Sequence, residues 1–243
     1  MKYVPVVRYR QEERAALKQL ALSSKIMPLI EIVTEKPHSS MKKPFSELYA
    51  AEFASFEGPF MVDLPTHLRL SRSTRHNVRN FLLPLKRDRT LVVGRLLDLA
   101  GVQGLIPVLS YDPQTQYAHG TLVSEAQALK SRFSRLAFRV FAEVTSSLLD
   151  ELKSVATVND IAVLDIGVTP HGNQRLEPLY ERFRALKATT SCSLVIVRSA
   201  LSPQLTNIGL VDRQPIVNAD DSLRDTYPTY GFDAFGDFAG IKK

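Results

Sequence analysis

At 243 residues and 44% hydrophobic content, the chain can bury one large core, and its length fits one large domain or two small ones. It contains no run of about 18 apolar residues, which excludes a helical membrane span, and Arg8 and Arg10 interrupt the start too early for a signal peptide. Cys192 is the single cysteine, so no internal disulfide can form, and a reducing cytoplasm is the expected location.

The formal charge of +6 is unevenly spread. Arg69, Arg72, Arg75, Arg79, Lys86, Arg87, Arg89 and Arg95 crowd one stretch, whereas Asp220, Asp221, Asp225, Asp233 and Asp237 make the tail acidic. Such a basic segment points to an anionic partner, or to an ordinary solvated helix face.

Taken in order, Tyr3 to Arg10 predicts a strand and Gln11 to Ser24 a helix. A strand over Ile26 to Val33 and a helix around Phe45 to Phe56 follow, then a strand over Phe60 to Leu64. Ser71 or Ser73 can cap a helix through Asn80, and Arg89 to Leu99 continues as a helical or mixed segment. Leu105 to Ser110, Leu136 to Glu143, Ile161 to Val168 and Ser193 to Arg198 are further strands. Helices over Leu122 to Phe133, Thr145 to Val155 and Leu176 to Lys187 separate them.

Short apolar strands alternating with helices imply right-handed βαβ units and a parallel sheet. Seven strands in one chain favour an α/β fold of the (β/α)8, TIM-like barrel type over an open sheet. The eighth strand is the weak point. Pro215 to Asn218 is the nearest candidate, and Tyr227 to Gly240, aromatic and glycine-rich, reads as neither helix nor strand. The barrel is therefore expected to be irregular or incomplete there. Residues 1–243 read as a single domain whose acidic, aromatic end occupies 219–243.

Residues of equal parity share a strand face. That rule groups Val4 and Val6 with Arg8, Met27 and Leu29 with Glu31, and Met61 with Asp63. It groups Ile106 and Val108 with Ser110, and Ala137 with Arg139. Val163 then goes with Asp165, and Leu194 and Ile196 with Arg198. Each polar group falls at the C-terminal end of its strand, where barrel enzymes keep their chemistry.

Three acids and three arginines in one layer allow two readings. A ligand site would hold phosphate or carboxylate on Arg8, Arg139 and Arg198, with Ser110 nearby. Glu31, Asp63 and Asp165 would be catalytic acids and bases or oxygen ligands for a divalent metal. The other reading is a buried ionic layer, which seldom stabilises more than apolar packing would. Loop residues His67, Tyr111, Asp112, His119 and His171 are expected on the same rim. Arg72, Arg75 and Arg79 share a helix face, and a helix start beside them would favour a phosphorylated small molecule or a nucleic-acid backbone. No stacking aromatics lie among these arginines, which lowers the nucleic-acid reading. No zinc motif and no glycine-rich phosphate loop occur, and no cofactor is indicated.

The opening Tyr3-Val-Pro-Val-Val-Arg8-Tyr-Arg10-Gln-Glu-Glu13, with Pro28-Leu-Ile-Glu31, resembles the start of the beta protein family of phages and bacteria. Tyr230-Gly-Phe-Asp-Ala-Phe-Gly236-Asp237-Phe-Ala-Gly240 is similar to a Gly-Asp-aromatic element of the same group. The resemblance implies a barrel-like fold, family positions at Arg8, Arg10, Glu13 and Glu31, and a place in phage–host conflict or antiviral defence. It implies no agreed activity. Three functions stand open: an anion- or partner-binding barrel, a hydrolase or lyase acting on a phosphorylated substrate, and an interaction protein docking through its C-terminal segment.

Overall fold

Each strand grows from a short apolar, mostly β-branched run, the composition of a parallel sheet covered on both faces. In the computed structural model, which describes residues 2–19, 25–36, 43–144, 146–200 and 220–238, these runs close into an eight-stranded parallel barrel. The strands are β1 (Tyr3–Arg8), β2 (Leu29–Glu31), β3 (Phe60–Asp63), β4 (Leu105–Ser110), β5 (Ala137–Phe141), β6 (Ile161–Asp165), β7 (Ser193–Arg198) and β8 (Ala234–Phe238). Between them lie α1 (Gln11–Gln19), α2 (Phe45–Phe53), α3 (His76–Arg87), α4 (Arg89–Leu97), α5 (Thr121–Lys130), α6 (Ser146–Val155), α7 (Glu177–Thr190) and α8 (Leu223–Thr226).

Two apolar clusters follow from strand alternation. The inner one fills the barrel with Val4, Val6, Leu29, Met61, Val108 and Val163 among others. The outer one packs the opposite strand faces, including Ile30, Val62 and Leu164, against helix residues such as Leu82 and Phe183. Gaps in the interior are therefore set by side-chain size at alternate positions.

Closure differs from the sequence expectation. The last strand comes from the aromatic, glycine-rich stretch: Ala234–Phe238 pairs with β7 on one side and with β1 on the other. Pro215 to Asn218 lies outside the described residues. Gly236 explains why the strand looks unlike one, because a Cβ there would sit 2.2 Å from the Val4 carbonyl oxygen and 3.1 Å from Val197. A residue without a side chain is required where β8 passes so close to β1.

The face assignment of β7 is also corrected. Val195 and Val197 point into the barrel, whereas Leu194 and Ile196 belong to the outer cluster. Arg198 therefore leaves the strand on the outer parity. The α3 helix starts later than expected, at His76 with Arg75 as its N-cap. Ser71 and Thr74 bond each other in the preceding turn instead. Among the described residues no helix is long and apolar enough to cross a membrane.

Candidate functional site at the barrel mouth

Six of the seven residues expected at the strand ends meet in one layer, buried except for Arg8. Arg139 is its centre and has no exposed surface. Its Nη1 donates to Glu31 Oε1 and to Asp63 Oδ2, both at 2.8 Å. Its Nη2 and Nε donate to Asp165 Oδ2 at 2.6 and 3.1 Å. Neighbouring groups complete the carboxylates. Ser110 Oγ donates to Asp63 Oδ1 at 2.7 Å, the Gly167 amide to Asp165 Oδ1 at 2.9 Å, and Arg8 Nε to Glu31 Oε2 at 3.1 Å. The planar fork of an arginine is the cation that can serve three acceptors at once.

Three acids face two arginines here, so the layer formally carries one excess negative charge. Arg198, expected as the third arginine, lies elsewhere. Its Nη1 donates to Asp220 Oδ2 at 2.6 Å and stands 3.4 Å from His171 Nδ1. The His171 ring is pushed down in pKa by burial and by Arg198, and it meets Tyr230 edge-on. Arg198 and His171 thus form a separate pair beyond the outer face of β7.

Burial alone would push the Glu31 carboxyl up, yet Arg139, with His67 and Arg8, outweighs it and holds that carboxyl well below its usual range. The Arg139 guanidinium, which burial would lower, is raised by Asp165, Glu31 and Asp63. A carboxyl held so firmly in the ionised form is a poor proton donor. Glu31, Asp63 and Asp165 are buried beneath the mouth, and each gives one oxygen to Arg139 and the other to Arg8, Ser110 or the Gly167 amide. A divalent cation between them would have to displace that guanidinium. Among the described residues no three His, Cys, Asp or Glu side chains are grouped to hold a metal ion.

Above the layer the charge reverses. The Arg8 side chain is 34% exposed. Arg10 follows β1, and its guanidinium is lowered in pKa by burial and then by the positive field of Arg8, with Arg75 adding to it and Glu13 and Glu31 opposing. Arg75 caps α3, whose first turn has no acidic residue and no side-chain cap. Arg72 is exposed in the turn before it. The strand β1 and the helix start after β3 thus bring Arg8 and Arg75 into the field of Arg10.

His67 links rim and layer. Its Nε2 lies 3.6 Å from Glu31 Oε1, its ring centroid is 4.6 Å from that of Phe141, and its Nδ1 is buried with no partner. The remaining loop residues separate. Tyr111 is buried, donating its hydroxyl to Glu125 at 2.6 Å, and Asp112 pairs with Lys86 at 3.0 Å. His119 is exposed beside a cavity after β4.

Sequence reasoning did not single out Tyr117 and Phe141, which line that cavity with His119. Strand parity could have found Phe141, two positions after Arg139. A family model described as Beta protein matches residues 3–243. No curated protein matches the chain.

Proposed function

The chain belongs to the Beta protein family, and we propose that it is a binding barrel that holds a phosphate-bearing anion at the C-terminal mouth, on Arg8, Arg10 and Arg75. The observation that carries this reading is the gathering of three cationic side chains at the mouth: Arg8, partly exposed at the end of β1, Arg10 just after it, and Arg75 at the uncapped start of α3, with Arg10 lowered in pKa by burial first and then by Arg8 and Arg75. Glu31 and Glu13 offset part of this positive charge, and the remainder attracts an anion. Arginine adds paired donors matched to phosphate oxygens. The buried layer below serves as a fixed platform, since Arg139 holds β2, β3 and β6 to β5 through Glu31, Asp63 and Asp165.

The setting, a phage-related or defence-related system, rests on the family resemblance alone. A hydrolase or lyase using Glu31, Asp63 and Asp165 has less support, because all three are committed to Arg139. Docking through the C-terminal segment also has less, because Ala234–Phe238 is a strand of the barrel.

The test is calorimetric titration of the full chain with inorganic phosphate at low salt. Saturable binding that weakens at least tenfold in the Arg10→Ala/Arg75→Ala double variant, about 1.4 kcal/mol, supports the reading. Absence of binding, or equal affinity in the variant, rejects it.

A further inference from the structure

The anion reading leaves a neighbouring feature of the mouth unused. The loop after β4 and the start of α6 enclose a cavity of about 220 Å³. Its walls combine Tyr111, Tyr117, Phe141 and Leu148 with polar side chains, among them His119 and the carboxylates of Asp112 and Glu151. The rings of Tyr111 and Tyr117 meet edge-on, 5.1 Å apart at 88°. The Arg89 guanidinium lies over both, 4.4 and 5.7 Å from their centroids. Glu125 and the Ser110 carbonyl fix that guanidinium, so the ring pair has a rigid backing. Tyr117 Oη accepts the Asp112 amide at 2.9 Å, and burial raises its pKa, so the hydroxyl stays protonated.

Phe141 belongs to the cavity and to the mouth. It lines the former and touches His67, which approaches Glu31, which in turn accepts from Arg8. A chain of contacts through Phe141, His67 and the buried Glu31 therefore links an aromatic recess to Arg8 at the rim. It is ring-lined at one end and cationic at the other. Such polarity matches a planar heterocycle joined to a phosphate: ring faces stack on aromatic side chains, and arginines take the phosphate oxygens.

We propose that the phosphate-bearing ligand is a nucleotide whose base enters the Tyr111–Tyr117–Phe141 cavity while its phosphate lies at Arg8, Arg10 and Arg75. This assignment rests on the anion reading of the same mouth. The cavity is smaller than the roughly 300–1,000 Å³ of a whole small-molecule site, as it should be if only the base enters it. His67, whose buried Nδ1 has no partner, contacts both Phe141 and Glu31.

The experiment compares, on the full chain, the affinities of AMP, GMP, CMP and UMP with those of ribose 5-phosphate and inorganic phosphate. At least one nucleotide should bind about tenfold or more tightly than ribose 5-phosphate, the contribution expected of one stacked base. Tyr117→Ala should remove that advantage and leave ribose 5-phosphate binding unchanged, while Tyr117→Phe keeps most of it. Ser147→Trp, which fills the cavity from an exposed position on α6, should remove it without touching the ring pair. Nucleotides no tighter than ribose 5-phosphate, or an advantage that survives both Tyr117→Ala and Ser147→Trp, overturn the nucleotide assignment and leave the anion reading standing. If neither ribose 5-phosphate nor inorganic phosphate binds, both fall. A short single-stranded RNA binding over tenfold tighter than every mononucleotide would overturn the mononucleotide in favour of nucleic acid.

Discussion

Arg139 donates to one oxygen of Asp165 twice, through Nη2 at 2.6 Å and Nε at 3.1 Å, in an interior that water does not reach. Removing the guanidinium would leave Asp165, Asp63 and Glu31 crowded and uncompensated. Arg139→Met is therefore expected to cost about 3–5 kcal/mol, the usual penalty for breaking a buried ion pair from one side. Urea unfolding followed by circular dichroism measures it, and a loss under about 1 kcal/mol would remove the platform role. Arg139→Lys should fall between, since an ammonium cannot fork to three acceptors.

Glu31 makes the same layer sensitive to acid. Its folded pKa is depressed, whereas an unfolded glutamate titrates near 4.3. The sign follows: the stabilisation is fully present above about pH 4.3 and is lost as pH falls through the depressed folded value. Unfolding free energies at pH 7, 5, 4 and 3 should show that loss. Glu31→Gln should be less stable at pH 7 and fall less steeply below pH 5. Parallel curves for the two proteins would place the acid sensitivity in other carboxyls.

Much of this layer was legible from strand parity, because Arg8, Glu31, Asp63, Ser110, Arg139 and Asp165 each follow an apolar inward partner. Parity failed at β7 for a physical reason. In Ser193-Leu-Val-Ile-Val-Arg198 both faces are apolar, so the alternation carries no contrast, and the terminal arginine was assigned to the wrong face. β8 was hidden differently. Its Ala-Phe-Gly-Asp-Phe composition is shaped by a backbone contact with Val4, a neighbour more than 200 positions away that local propensity does not register. The rim arginines Arg10 and Arg75 come from separate segments, so only the closed barrel shows that they share a field.

Gly236 offers a direct test of closure. Gly236→Ala would drive a methyl against the Val4 carbonyl oxygen, a backbone atom, with the Val197 and Val4 side chains closing in at 3.1 Å. A destabilisation of roughly 1–3 kcal/mol is expected, as for other overpacked sites. Ala substitution at Gly94, where a Cβ would meet nothing within 4 Å, is the control and should be neutral or stabilising by up to about 1 kcal/mol. A neutral Gly236→Ala would contradict the close pairing of β8 with β1.

Arg198 separates the mouth from its surroundings. Its guanidinium is engaged by Asp220 near His171, on the outer side of β7, and Asp220 is lowered in pKa by its bonds to Ser222 and Arg198. Arg8, by contrast, opens to the mouth while bonded to Glu31. Arg198→Ala should therefore leave phosphate affinity within about twofold of the original, since it removes no donor from the rim. Arg8→Ala should weaken phosphate at least tenfold, the value of about 1.4 kcal/mol typical of a charge-assisted contact. Titration calorimetry on the two variants decides between them, because a stronger effect at Arg198 would move the anion site to the cleft that Arg198 shares with Tyr3 and Asp220.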